Sequence, residues 1–267
     1  MLAIFWRTFK DRRISLLIYS LAAIGLILVY VSIYPSIKAQ SASFETLLKT
    51  YPEGFLKAFN VDLATYTTIE GYLSAEQFSF VYPLMVIFIL VGYAGAAIAG
   101  EIEKGTIETL LSAPVSRLKI FLGKYFSGLL ILAVFTALST FSIAPILSAY
   151  RISYHIESFA LIALLSFMFG LSIFSLSIFF STIFSDKGKV YFLSGGILVL
   201  MYVLNIIAAL KDNLSDLKYF SFFYYFNPNK ALIYQQIDHL AYWVFLGTAF
   251  VFAIMAAVWF SKRDIAV

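Results

Sequence analysis

The sequence predicts an all-α polytopic membrane protein with six transmembrane helices, and three observations carry that reading. Of its 267 residues, 61% are hydrophobic and 13% charged, against about 25% charged in an ordinary soluble domain. Six apolar runs approach the ~20 residues a helix needs to cross a bilayer. Those runs are continuous rather than alternating, which excludes the two-residue period of a membrane β-barrel. They lie at Ile14–Tyr34, Phe78–Gly100, Ile120–Tyr150, Phe159–Phe184, Val190–Leu210 and Ala241–Phe260. The whole chain, 1–267, reads as one membrane domain.

Residues 1–13 precede the first run with a pattern of their own. Leu2, Phe5, Trp6 and Phe9 recur at helical spacing, while Arg7, Lys10, Arg12 and Arg13 fall elsewhere. That predicts a separate amphipathic helix in the inner interface, its cations toward anionic headgroups. The first run has no small-x-small site after it, so the reading expects it to remain as a span.

After the first run, an outer segment occupies 36–77. Its residues Phe44, Leu47, Leu48, Tyr51, Phe55, Leu56 and Phe59 trace one helical face, interrupted at Pro52-Glu53-Gly54. Within the spans, Gly92, Ala96 and Gly100 are spaced by four, as are Ser166 and Gly170, and Ser177, Ser181 and Ser185. Small residues at that spacing predict close helix–helix seams. A second outer segment, 211–240, holds the aromatic run from Tyr219 to Phe226 followed by Asn227-Pro228-Asn229. So many rings predict a re-entrant or interfacial helix pair, or an aromatic belt at the interface.

Cations set the orientation. With the N-terminus inside, inner segments hold Arg7, Lys10, Arg12, Arg13, Lys104, Arg117, Lys119, Lys124, Lys187, Lys189, Lys262 and Arg263. The longer outer segments hold only Lys38, Lys49, Lys57, Arg151, Lys211, Lys218 and Lys230. Both termini are therefore expected in the cytoplasm. The net charge of +4 is a topology signal rather than a nucleic-acid footprint. Cysteine is absent and only His155 and His239 occur, so neither a disulfide framework nor a transition-metal site is expected.

The predicted spans hold no acid or base in their interiors, with Lys124 at a cytoplasmic end. Ion-coupled carriers place ionisable groups there, so a secondary transporter is the weaker alternative. No nucleophile–base–acid arrangement suggests an intramembrane enzyme. No phosphate-binding Gly-x-x-x-x-Gly-Lys-Ser/Thr loop occurs either, so any ATP-driven work requires another chain.

The charged stretch 101–119 is the most informative element. Glu101 and Glu103 leave the second span, Gly105 supplies a turn, and Thr106 is expected to cap a short helix. Glu108 falls in its first turn, where the helix dipole favours an acid. Leu110 and Leu111 give that helix an apolar edge. Ala113-Pro114 stops it, Ser116 is placed to cap the next helix, and Arg117, Lys119 and Lys124 hold that helix at the headgroups.

The pattern Glu-x-Glu-x-Gly-Thr-x-Glu-x-Leu-Leu-x-x-Pro-Val-Ser-Arg, followed by Lys124, resembles the signature of the type-2 ABC transporter permease family, of the type V exporter-like kind. The resemblance spans the chain, from the basic amphipathic start through six spans to Lys262-Arg263-Asp264. It implies that the loop between spans two and three is a cytoplasmic coupling helix docking on a separate ABC ATPase, through Glu103, Gly105, Thr106, Glu108, Leu110, Leu111, Pro114 and Arg117. It implies secondary ATPase contacts at Trp6, Arg7 and Arg12, and at Asp186 and Lys187. ATP and Mg would be bound by that partner, with no cofactor on this chain. A second permease, identical or not, would complete the pathway, in what is expected to be a prokaryotic plasma membrane. Phe80, Tyr82, Tyr93, Tyr191, Tyr202 and Asn205 are the expected path lining, for a hydrophobic or amphipathic cargo. The remaining alternative is a non-transporting mechanotransmission or scaffold subunit.

Overall fold

The computed structural model describes the chain outside residues 53, 55, 57–60, 63, 64, 113 and 265–267, and outside the side chains of residues 44 and 45. The expected roles of Phe44, Phe55 and Phe59 on a helical face, and of Ala113 as a helix stop, fall on those positions. Among the described residues there is no strand. Six helical stretches are long and apolar enough to cross a membrane: α1 (Leu2–Ala39), α2 (Ile69–Ala97), α3 (Arg117–Ala149), α4 (Ile156–Ile183), α5 (Lys187–Leu210) and α6 (His239–Lys262).

Three expectations are revised. The amphipathic start is not a separate helix, because α1 runs unbroken from Leu2 to Ala39. Nothing between Arg13 and Ile14 breaks helical geometry, and the resulting rod of about 57 Å is far longer than a ~30 Å hydrocarbon core. Second, α2 begins well before Phe78. Thr68 caps it, its hydroxyl accepting from the Gly71 amide at 3.1 Å, and a π-helical stretch over Ser74–Val81 follows. Third, α2 therefore carries acids. Glu76 Oε1 accepts from the Tyr66 hydroxyl at 2.8 Å, and Glu70 Oε1 lies 3.3 Å from His155 Nδ1. Hydropathy ended the span at these acids, whereas tertiary partners satisfy them.

α4 is the central helix, packed by α2, α3, α5 and α6. Its Gly170 lets Leu132 of α3 approach so closely that an added Cβ would lie 2.5 Å from Leu132 Cδ1. α1 packs on α2 and α3, and α5 on α2 and α4. One end of the bundle gathers Arg7, Glu101, Glu103, Arg117, Lys124, Lys187 and Arg263, and is called here the charged end.

At the opposite end, short helices Phe222–Tyr225 and Pro228–Leu232 fold between α5 and α6. Asn227 caps the second, accepting from the Lys230 amide at 3.1 Å. Between them Phe226 turns inward and stacks on Phe169 of α4, centroids 4.6 Å apart, and on Tyr82 of α2 at 6.2 Å. Phe169 is about 20 Å along α4 from Ile156, so this irregular segment reaches the middle of the bundle. The Ser74 hydroxyl, 2.6 Å from Asn229 Oδ1, ties it to α2.

Candidate functional site

The site is built where α2 leaves helical geometry. At Ile98, φ is −123° and ψ −60°, which frees the next amide from the α-helical ladder. The Ala99 N–H donates instead to Ser181 Oγ of α4 at 3.0 Å. Ser181 is fully buried, so one of the small residues read as a packing seam also satisfies a broken helix. A short helix, Ala99–Glu103, continues from this break.

Two ion pairs hold that helix to its neighbours. Glu101 Oε1 is 2.6 Å from Lys124 Nζ on α3. Glu103 Oε1 is 3.7 Å from Lys187 Nζ, and its Oε2 accepts from the Lys187 amide at 3.1 Å. Asp186 caps the same helix end, α5, accepting from Gly188 at 2.6 Å and Lys189 at 3.4 Å. The Lys124 ammonium is buried about 10 Å along α3 from Arg117, and Tyr93 donates to the Lys124 carbonyl at 2.6 Å. Lys124 is thus enclosed by protein and paired with the half-buried Glu101.

Gly105 then reverses the chain at φ +71°, a backbone region where a side chain would be strained. The helix Ile107–Leu111 follows. Thr106 precedes it without a side-chain cap; its hydroxyl points back to the Glu101 carbonyl at 3.3 Å. Ile107 is buried and Leu110 and Leu111 are half-buried against the core, while Glu108, Thr109, Ser112 and Pro114 are exposed. Burying Ile107 contributes roughly 1.5–3 kcal/mol toward holding the helix in place. The Ile107, Leu110, Leu111 spacing was the available sequence signal for this anchor. Ser116 caps α3 as its type predicts, accepting from Lys119 at 3.4 Å.

Arg117 turns inward, its guanidinium donating to the Arg263 carbonyl. Arg263 in turn donates to the carbonyls of Thr182 at 2.7 Å and Phe184 at 3.1 Å, and to Ser185 Oγ at 2.5 Å. It thus closes the end of α4, where orphan carbonyls need donors. Burial lowers the Arg263 pKa from its ordinary value. Trp6 is exposed, with edge contacts to Phe5 and Phe9, while Arg7 and Arg12 face a cavity shared with Lys104, Lys124 and Lys187.

The six aromatic and amide positions on α2 and α5 separate. Phe80 and Tyr202 meet at 6.2 Å between centroids and line an apolar cleft of about 300 Å³ with Leu84, Phe88, Leu198 and Phe223. Tyr191 lies nearer the charged end over Gly95, its hydroxyl 3.5 Å from the Gly92 carbonyl. Asn205 is half-buried on α5. Tyr82 departs from the lining expectation. It is fully buried, hydrogen-bonded to Thr136 at 2.9 Å and stacked on Phe135, because the inward Phe226 covers it. Tyr93 is nearly buried, yet its ring edges the cavity at the charged end.

A model of the family described as ABC-2 family transporter protein matches residues 2–265. The chain belongs to the ABC-2 transporter family. It is an integral membrane permease component of an ABC transporter, and not a nucleotide-binding domain. No match is found among curated proteins. In this ABC-2 permease the break at Ile98, the two ion pairs and the Gly105 reversal place a small helix with one buried edge and one exposed edge at the charged end.

Proposed function

We propose that this permease is half of the membrane portion of an ATP-driven exporter, with the charged end in the cytoplasm and Ile107–Leu111 as the surface a separate ABC ATPase grips. The carrying observation is the anchoring of this helix. Its exposed edge offers Glu108 and Thr109, while Ile107 and the Glu101–Lys124 and Glu103–Lys187 pairs connect it to the bundle. A push on such a tethered element moves α2, α3 and α5 together rather than bending a loop. Glu103, Gly105, Thr106, Glu108, Leu110, Leu111 and Pro114 form or shape the docking unit. Arg117 supports it by latching α3 to the end of α6. Trp6, Arg7, Arg12, Asp186 and Lys187 are the secondary contacts. ATP and Mg belong to the partner.

Two such chains would face each other to enclose the path, closing inward or opening outward as the ATPases cycle. The apolar cleft of Phe80 and Tyr202, with Tyr191 and Asn205 along the same helix, supports a hydrophobic or amphipathic cargo. Gentle solubilisation and affinity purification of the chain tests the docking. The wild-type chain should bring down a stoichiometric ATPase, and the exposed-site variant Glu108→Lys should lose it while keeping its own thermal stability. An ATPase retained equally by both would move the docking surface elsewhere.

A further inference from the structure

A cavity of about 610 Å³ opens at the charged end between α1, the Ala99–Glu103 helix, the Ile107–Leu111 helix and the start of α5. Lys124 and Lys187, on its wall, are already paired with glutamates. Arg7, Arg12 and Lys104 also line it and have no carboxylate within ion-pair distance among the described residues. Among the described residues Asp11 is the one unpaired acid lining the cavity with them, so positive charge is left in surplus. An anion satisfies that surplus.

The cavity does not stand alone. It shares Arg12, Tyr93 and Tyr191 with a smaller space of about 170 Å³. That space shares Phe88 with the apolar cleft of about 300 Å³. The three lie in succession along α2, flanked by α1 and α5, which both pack on α2, and count as one furrow for a ligand long enough to pass Phe88. Its polarity changes from cationic at the charged end to nearly wholly apolar at the other. A soluble phosphate matches only the first part, whereas a phospholipid matches the whole gradient.

We propose that this furrow binds one anionic phospholipid. The phosphate sits among Arg7, Arg12 and Lys104, and the acyl chains run past Phe88. Arginine forks and lysine suit a phosphodiester, the volume lies within the usual range for ligand sites, and basic pockets on a membrane's inner side attract such headgroups. Because the lipid contacts both α1 and the Lys104 turn, it would brace the docking helix from behind.

The test is native mass spectrometry and thermal unfolding of the purified full chain in neutral detergent, with added phosphatidylglycerol, phosphatidylcholine, glycerol 3-phosphate or inorganic phosphate. Phosphatidylglycerol should give a retained single adduct and raise the unfolding midpoint, and phosphatidylcholine should do neither. Replacing Arg7 and Lys104 together by Gln should weaken the adduct by about tenfold or more, since each charged contact contributes roughly that factor. The exposed pair Lys10→Gln and Arg13→Gln, outside the cavity, should leave it intact. Equal retention of both lipids by the wild-type chain would overturn the proposal without any variant. So would equal loss in the Lys10/Arg13 variant, which would mark diffuse surface attraction. Equal protection by glycerol 3-phosphate or phosphate would overturn the lipid assignment in favour of a free anion.

Discussion

Lys124 Nζ and Glu101 Oε1 stand 2.6 Å apart with the lysine side chain only 1% exposed and the glutamate 27%, which joins the segment after α2 to the third turn of α3 by pairing a buried ammonium with a half-buried carboxylate. Glu101→Gln leaves a buried ammonium without its partner and should destabilise the chain by about 3 kcal/mol. Lys124→Met leaves a half-buried carboxylate beside other cations and should cost less. The double change Lys124→Met with Glu101→Gln should cost less than the sum, by roughly 1 kcal/mol or more. Thermal unfolding of the four proteins in detergent measures the coupling, and additive losses would mean that the two groups act independently.

Arg263 makes a second join, between the end of α6 and the last carbonyls of α4. Arg263→Ala should lower stability by about 1–3 kcal/mol, as expected for charge-assisted bonds to buried acceptors. Arg263→Lys should recover only part, because an ammonium cannot span Thr182, Phe184 and Ser185 as the planar fork does. Full recovery in unfolding measurements would show that charge alone suffices.

Two glycines should respond in opposite directions. A Cβ at Gly128 would lie 2.3 Å from Phe174 Cζ and 2.9 Å from Tyr93 Cε1, both buried rings, so Gly128→Ala should cost about 1–3 kcal/mol. Gly92 has nothing within 4 Å of that position, and Gly92→Ala should be neutral or stabilising by up to about 1 kcal/mol. The same unfolding assay decides both.

The chain has no cysteine, which makes topology directly measurable. Lys119→Cys should react with a membrane-impermeant maleimide only in inside-out vesicles, and Leu214→Cys only from the outside of intact cells. The reverse pattern would invert the orientation read from the cations.

Much of this architecture was legible because hydropathy and punctuation are local signals. The six spans, the Gly105 turn and the Ser116 cap all follow from adjacent residues, whereas the Asp186 cap of α5 was not read from them. What else escaped depends on distant partners. Glu76 belongs inside α2 only because Tyr66 satisfies it, and Lys124 is buried only because Glu101 folds back to it. Thr106 has the right residue type for a cap, but its hydroxyl turns to the Glu101 carbonyl. Tyr82 lies on an apolar helix beside expected lining residues, and only the inward fold of Phe226 removes it from them. The Arg117–Arg263 latch joins residues 146 positions apart, where no spacing rule applies.

The most direct measurement for the docking helix is single-cysteine crosslinking in native membranes. Ser112→Cys, exposed at the end of Ile107–Leu111, should form an adduct with an ABC ATPase under a short bifunctional maleimide, and Tyr219→Cys at the opposite end should not. An ATPase captured from Tyr219→Cys, or from neither position while transport persists, would contradict the account.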